Sequence, residues 1–141
     1  MIQKINIHNY KGLQDCTLDI HPLTILTGLN STGKSSCFQG ILTALYYTSP
    51  NAEAILEKYD FSYETLRNKA MSAKELSVIV QCSEGEIFYN QNFEGVFSAI
   101  NKTNIDLEKN LYYLCANRLG FSDMETISPK YKVGVGGEFI F

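Results

Sequence analysis

The sequence predicts an α/β fold, and three observations carry that prediction. Apolar residues alternate with period two in two short runs, at Ile5 and Ile7 and at Cys16, Leu18 and Ile20, a glycine loop follows a short apolar run, and an apolar stripe of helical period comes directly after the loop. Strand, glycine loop and helix in that order form one structural unit, in which the loop is the sharp bend between two regular elements.

Taken in order, "QKINIHNYKGL" sets Ile5 and Ile7 two apart, and "DCTLDI" sets Cys16, Leu18 and Ile20 two apart. Two short strands joined through Lys11 to Gln14 are expected to pair as an antiparallel hairpin. Pro22 ends the second strand, and "LTILT" reads as a third strand buried on both faces that delivers the chain into the loop. From Ser35 to Tyr47, residues Cys37, Phe38, Ile41, Leu42 and Leu45 lay one apolar stripe along a helix, which "TSPN" breaks. Residues 53–75 carry charged, weakly helical patterns expected as one or two short surface helices. "LSVIVQCSEGEIFYNQNF" reads as a hairpin turning at "SEGE". "NLYYLCANRLGF" reads as a buried strand entering a loop, and "KVGVGGEFIF" as a glycine-rich turn before a strand. The organisation expected is therefore one domain: 1–47 as hairpin, loop and first helix, 48–75 as a helical surface segment, and 76–141 as further strands. The apolar ending Phe139, Ile140, Phe141 leads us to expect either the front part of a larger domain, an incomplete first lobe, or an end that pairs with another segment.

Bulk properties narrow the function. With 141 residues, 45% of them apolar and 12% aromatic, the chain can bury a core and is not a disordered segment. Twelve basic against fifteen acidic residues give a net charge of -3, which excludes a global pull toward nucleic acid and leaves room for a local one. Cys16, Cys37, Cys82 and Cys115 make no C-x-x-C pair, so neither a zinc site nor a disulfide framework is indicated, and free thiols in a cytoplasmic protein are expected. No basic-then-apolar leader opens the chain and no apolar run reaches membrane-spanning length, so no membrane partner is expected.

"GLNSTGKS", Gly28 to Ser35, satisfies G-x-x-x-x-G-K-[ST] at each fixed position. Four fixed positions match by accident in a chain this long with a probability of roughly half a per cent, so the pattern is informative by itself. Gly28 lets the chain leave a strand in a tight turn, and Gly33 lets backbone approach a phosphate where a Cβ would collide. The amides from Asn30 through Ser31, Thr32, Gly33, Lys34 and Ser35 to Ser36 can converge on phosphate oxygens at the positive end of the following helix. Lys34 would reach the terminal phosphates, and the Ser35 hydroxyl would be a ligand of Mg2+. The expected cofactors are ATP and Mg2+.

Residues 5–36, "INIHNYKGLQDCTLDIHPLTILTGLNSTGKSS", resemble the N-terminal segment of the SMC/RecF/OLD branch of ABC-type ATPases, and Asn30 to Ser36 with Gln39 resemble the "N-S-[ST]-G-K-S-S-x-x-Q" subgroup of OLD-type bacterial AAA ATPases. "YYLCANRLG" (Tyr112–Gly120) and "VGVGGE" (Val133–Glu138) resemble a later stretch of the same subgroup; together the matching segments cover about a third of the chain. The resemblance implies a P-loop NTPase fold like an ABC-ATPase head, with a partial mixed sheet. It also implies ATP-gated association of two heads, as a homo-oligomer or with a complementary ATPase segment, driving a DNA-related or anti-phage effector. Nucleic acid would be met through a partner or a further region. The chain departs from the family in having no apolar strand ending in Asp-Glu, no signature sequence and no switch histidine. Gln81 stands where "LSVIVQCSE" would need an Asp, so no residue is assigned as catalytic and hydrolysis is not expected of this chain alone.

The resemblance also places Tyr10 and Lys11 at base or phosphate, against the alternative of a solvated turn. Arg118 has the guanidinium geometry to reach the nucleotide or an adjacent subunit, or is a surface arginine. His8 and His21 lack a ligand cluster, Tyr46, Tyr47, Tyr112 and Tyr113 fit packing better than base stacking, and Glu138 has no evident partner. Two other functions compete: a non-catalytic module that holds nucleotide or acts through protein contacts, and a small P-loop kinase or GTPase, which is disfavoured by the lack of N-K-x-D and of an arginine-rich lid.

Overall fold

A computed structural model of the chain describes residues 1–49, 63–70 and 74–105. Strands β1 (Ile2–Tyr10) and β2 (Leu13–Asp19) form the expected antiparallel hairpin, joined at Lys11 and Gly12. Helix α1 spans Lys34–Tyr47 and a single turn of helix, α2, spans Tyr63–Leu66. Strands β3 (Glu75–Cys82), β4 (Gly85–Asn92) and β5 (Phe97–Asn101) complete a five-stranded sheet in the order β2-β1-β3-β4-β5. These elements lie within one compact unit, Met1–Asn104.

The period-two patterns explain the register. Ile5 pairs with Val80 and Ile7 with Val78, while Val78 pairs with Tyr89 and Val80 with Ile87, so all six side chains share one face and all are buried. Each contributes roughly 1.5–3 kcal/mol by leaving water, though fixing the chain takes back most of that sum. Strict alternation along β1 would bury Asn9. Instead Asn9 adopts φ 53, a left-handed conformation asparagine tolerates well, and Tyr10 turns onto the buried face beside Ile7.

Helix α1 covers that face. A Cβ at Gly40 would stand 3.1 Å from the Ile7 Cδ1, so the missing side chain is what lets the helix settle this closely over β1. Beneath the far end of α1, Tyr47 stacks on Tyr89 at 4.5 Å between ring centroids and meets Phe97 at 4.8 Å. The Tyr10 hydroxyl lies 2.9 Å from the Thr43 Oγ1, which itself donates to the Gln39 carbonyl at 2.8 Å; Thr43 has spent its proton, so Tyr10 is the donor. After α2 the chain is tied to the hairpin tip by backbone bonds, Lys11 N–H to Leu66 O at 2.6 Å and Asn68 N–H to Asn9 O at 2.8 Å.

Four expectations need correction. Residues 23–27, "LTILT", are irregular rather than a strand, with Leu23 at 78% and Ile25 at 72% exposure. A strand buried on both faces needs a neighbour along each edge, and no described strand pairs with this segment. The sheet is not mixed: every pairing between described strands is antiparallel. Phe38, expected in the helix stripe, is 45% exposed, while Gly40, Thr43, Ala44 and Tyr46 are buried. The small residues mark the contact face because they permit close approach, which a count of large apolar side chains overlooks. Tyr10 is fully buried and cannot meet a base or phosphate. Strand β5 went unread, and its weak alternation fits an edge strand whose Phe97 and Ile100 are half exposed. Of the expected surface helices in 53–75, the single turn α2 is described; the readings of 106–141, including Arg118 and Glu138, lie outside the described residues.

Candidate phosphate-binding loop

The loop sits where the chain turns into α1. Positive φ values at Gly28 (146°), Ser31 (64°) and Gly33 (94°) intersperse left-handed residues through the turn, the conformation from which anion-receiving concavities of successive N–H groups are built. At Gly33 the requirement for glycine is double. Its φ disfavours any L side chain, and a Cβ would stand 2.8 Å from the Leu13 Cδ2 at the start of β2. The hairpin thus presses directly on the loop, a contact not foreseen because Leu13 was placed in the turn; its signal was an apolar residue directly after Gly12.

Gly33 is the N-cap of α1 and supplies no side-chain cap. The amides of Lys34, Ser35 and Ser36 have no intrahelical acceptor by the geometry of any helix start, and the first bond back is Cys37 N–H to Gly33 O at 3.0 Å. No acidic residue occupies this first turn to offset the positive end of the helix. The Lys34 ammonium folds back over the loop and donates to the carbonyls of Gly28 at 2.8 Å and Leu29 at 2.5 Å. The Thr32 hydroxyl also donates to the Leu29 carbonyl, at 2.9 Å, drawing the turn together. Asn30, Ser31, Thr32 and Ser35 are exposed, and Gly33, Lys34 and Ser36 are half-buried.

Lys11 is brought to α1 itself, where its ammonium donates to the Gln39 Oε1 at 2.7 Å. With φ 50 at the hairpin turn, Lys11 points inward to the helix rather than into solvent. Gln39, the last residue of the extended loop motif, is therefore held from one side by Lys11 and through its carbonyl by Thr43. Gln81 is exposed on β3 opposite Lys4 and Glu86, so it stands nowhere in the buried layer under α1. His8 bonds Asp15 on the outer face of the hairpin, and His21 caps a local turn with Thr24, consistent with surface roles for both. Among the described residues no His, Cys, Asp and Glu group could hold a metal by itself, and no helix is long and apolar enough to cross a membrane.

One helix packed on one face of a sheet, starting from a glycine loop with a lysine folded over it, defines the class: an α/β chain with a glycine loop leading into its helix. The chain belongs to the AAA ATPase domain family, whose model matches residues 1–119. A comparison with curated proteins finds no match. Family membership supports nucleotide binding, with ATP as the ligand.

Proposed function

We propose that the chain binds Mg-ATP through Gly28–Ser35 and serves as the nucleotide-holding N-terminal portion of an OLD/SMC-like ATPase. The observation that carries this reading is the Lys34 ammonium folded over the carbonyls of its own loop at the uncapped start of α1. Those carbonyls are neutral acceptors, and a phosphate oxygen is a stronger one, so the lysine has a favourable exchange to make. The residues present fit the ligand: Gly28 and Gly33 give backbone access, Asn30, Ser31, Thr32 and Ser36 supply amides, and the exposed Ser35 hydroxyl is available to Mg2+. Bound Mg-ATP would supply the hydrolysable triphosphate; the residues of this chain bind it, orient it and neutralise its charge.

The subgroup pattern Asn30–Ser36 with Gln39 supports the finer part of the proposal, that ATP draws two such heads together and drives a DNA-related or anti-phage effector in the cytoplasm. Lys11 and Arg118 are proposed to assist the nucleotide, Lys11 by setting Gln39 and Arg118 by direct contact.

Titration with Mg-ATP while following the thermal midpoint tests the binding step. At one hundred times the dissociation constant the gain is about 2.7 kcal/mol. Lys34→Ala is expected to lose that gain while keeping the ligand-free midpoint, and an equal gain in both proteins would overturn the proposal. Light scattering with and without Mg-ATP reads the association step, and an unchanged mass at saturating nucleotide would remove it.

A further inference from the structure

The cysteines read as unrelated in the sequence meet in the fold: the Cys16 Sγ on β2 lies 4.0 Å from the Cys37 Sγ on α1. The meeting follows from packing. Cys16 pairs with Ile7 across the hairpin, Gly40 rests on Ile7, and Cys37 lies one helical turn before Gly40, so the first turn of α1 comes beside Cys16. Both thiols are free, Cys16 half-buried and Cys37 at 6% exposure. Between them in the chain lie Thr17 to Ser36, which include the whole glycine loop.

We propose that Cys16 and Cys37 form a thiol pair that a low-molecular-weight disulfide, such as oxidised glutathione, converts into an internal disulfide clamping α1 onto β2 behind the loop. Cys16, the more accessible, releases its proton and attacks one sulfur of the oxidant, forming a mixed disulfide and expelling one glutathione thiolate. Cys37 then releases its proton and attacks the Cys16 Sγ, expelling the second glutathione. Two protein thiols lose two electrons and two protons, and the oxidant leaves as two glutathione thiols. Burial, with Cys16 beside it, pushes the Cys37 thiol up to about 11, so its thiolate is scarce at neutral pH and the closing step is slow there. The bond needs the sulfurs at about 2.05 Å, roughly 2 Å nearer than they lie, and once formed it fixes the first turn of α1 against β2. Cys37 lies three residues after Lys34, so the constraint acts on the same turn that carries the amides of Lys34, Ser35 and Ser36. Resting on the proposed nucleotide binding, the clamped form is expected to bind Mg-ATP several-fold more weakly.

The test treats the full chain with oxidised glutathione, blocks remaining thiols by alkylation and maps peptides by mass. Expected are a Cys16–Cys37 crosslink reversed by dithiothreitol, a rise of about 10 °C in thermal midpoint from closing the intervening loop, and neither in Cys16→Ser. Cys82→Ser should retain both. The closing rate should climb about tenfold per pH unit from 7 to 10, following the Cys37 thiolate. Stable glutathione adducts without the Cys16–Cys37 crosslink, or a crosslink through another cysteine alone, would overturn the thiol pair. A crosslinked protein with unaltered Mg-ATP affinity would overturn its influence on the loop. Absence of Mg-ATP binding in the reduced protein would instead overturn the functional proposal and leave the crosslink standing.

Discussion

Val78 and Ile25 are both β-branched aliphatic residues in apolar runs, and the fold treats them oppositely: Val78 is fully buried in the sheet and Ile25 is 72% exposed ahead of the loop. The difference lies in their partners. Val78 has β1 on one side, β4 on the other and α1 across its face, whereas no described strand borders residues 23–27. An apolar run specifies a tendency to be buried, and neighbours decide whether the tendency is met. Stability is accordingly concentrated in the layer of sheet and α1, while the loop side chains lie exposed or half-buried outside it. Changes in the layer should therefore unfold the protein, and changes in the loop should abolish binding at little or moderate cost to the fold.

The largest expected effect is in the layer. Leu45→Ala removes a buried side chain from α1 above the sheet and should cost about 2–5 kcal/mol by urea unfolding, with nucleotide affinity intact where the protein remains folded. A cost below about 1 kcal/mol would mean that α1 is not seated as described. Next is Gly33→Ala, where the two regions touch. The left-handed φ and the collision with Leu13 together should cost about 1–3 kcal/mol and remove the Mg-ATP stabilisation. Adding Leu13→Ala relieves the collision and leaves the φ, so a double-mutant cycle should show clear coupling. Strict additivity would show that the hairpin does not press on the loop.

Legibility in the sequence divided along the same line. The hairpin of β1 and β2, helix α1 and the hairpin of β3 and β4 could be read because each is specified by contacts close in sequence, the alternation and the turn residues being adjacent. The two glycines of the loop could be read for a different reason: Gly28 and Gly33 answer a local demand of backbone geometry, as φ 146 and φ 94 attest. What could not be read depended on distant partners. "LTILT" looked buried since no pattern reveals a missing neighbour, Tyr10 looked exposed because Asn9 reverses the alternation, and Cys16 and Cys37 looked unrelated until the start of α1 brought Cys37 beside β2. The Lys11–Gln39 link was invisible for the same reason, its ends lying 28 residues apart in sequence.

A smaller effect tests the polar link within the layer. Tyr10→Phe removes the hydrogen bond to Thr43, whose own proton remains bonded to the Gln39 carbonyl, so only an acceptor lone pair is left unmet. The expected cost is about 1 kcal/mol by urea unfolding. A loss of Mg-ATP affinity larger than the stability change would show that the link sets the position of Gln39 as well as holding the helix.

The smallest expected effect is the sharpest test of the contrast. Ile25→Thr keeps the branched shape and exchanges a methyl-bearing arm for a hydroxyl, and at 72% exposure little apolar surface leaves water in the first place. The unfolding free energy should move by less than about 0.5 kcal/mol, the range of ordinary surface substitutions. Val78→Thr brings a hydroxyl into the fully buried layer and should cost several times more, since a buried hydroxyl without a partner costs about 1–3 kcal/mol. Equal costs at the two positions would mean that the segment before the loop is packed against something in solution, and the separation between a stabilising layer and an open loop would have to be given up.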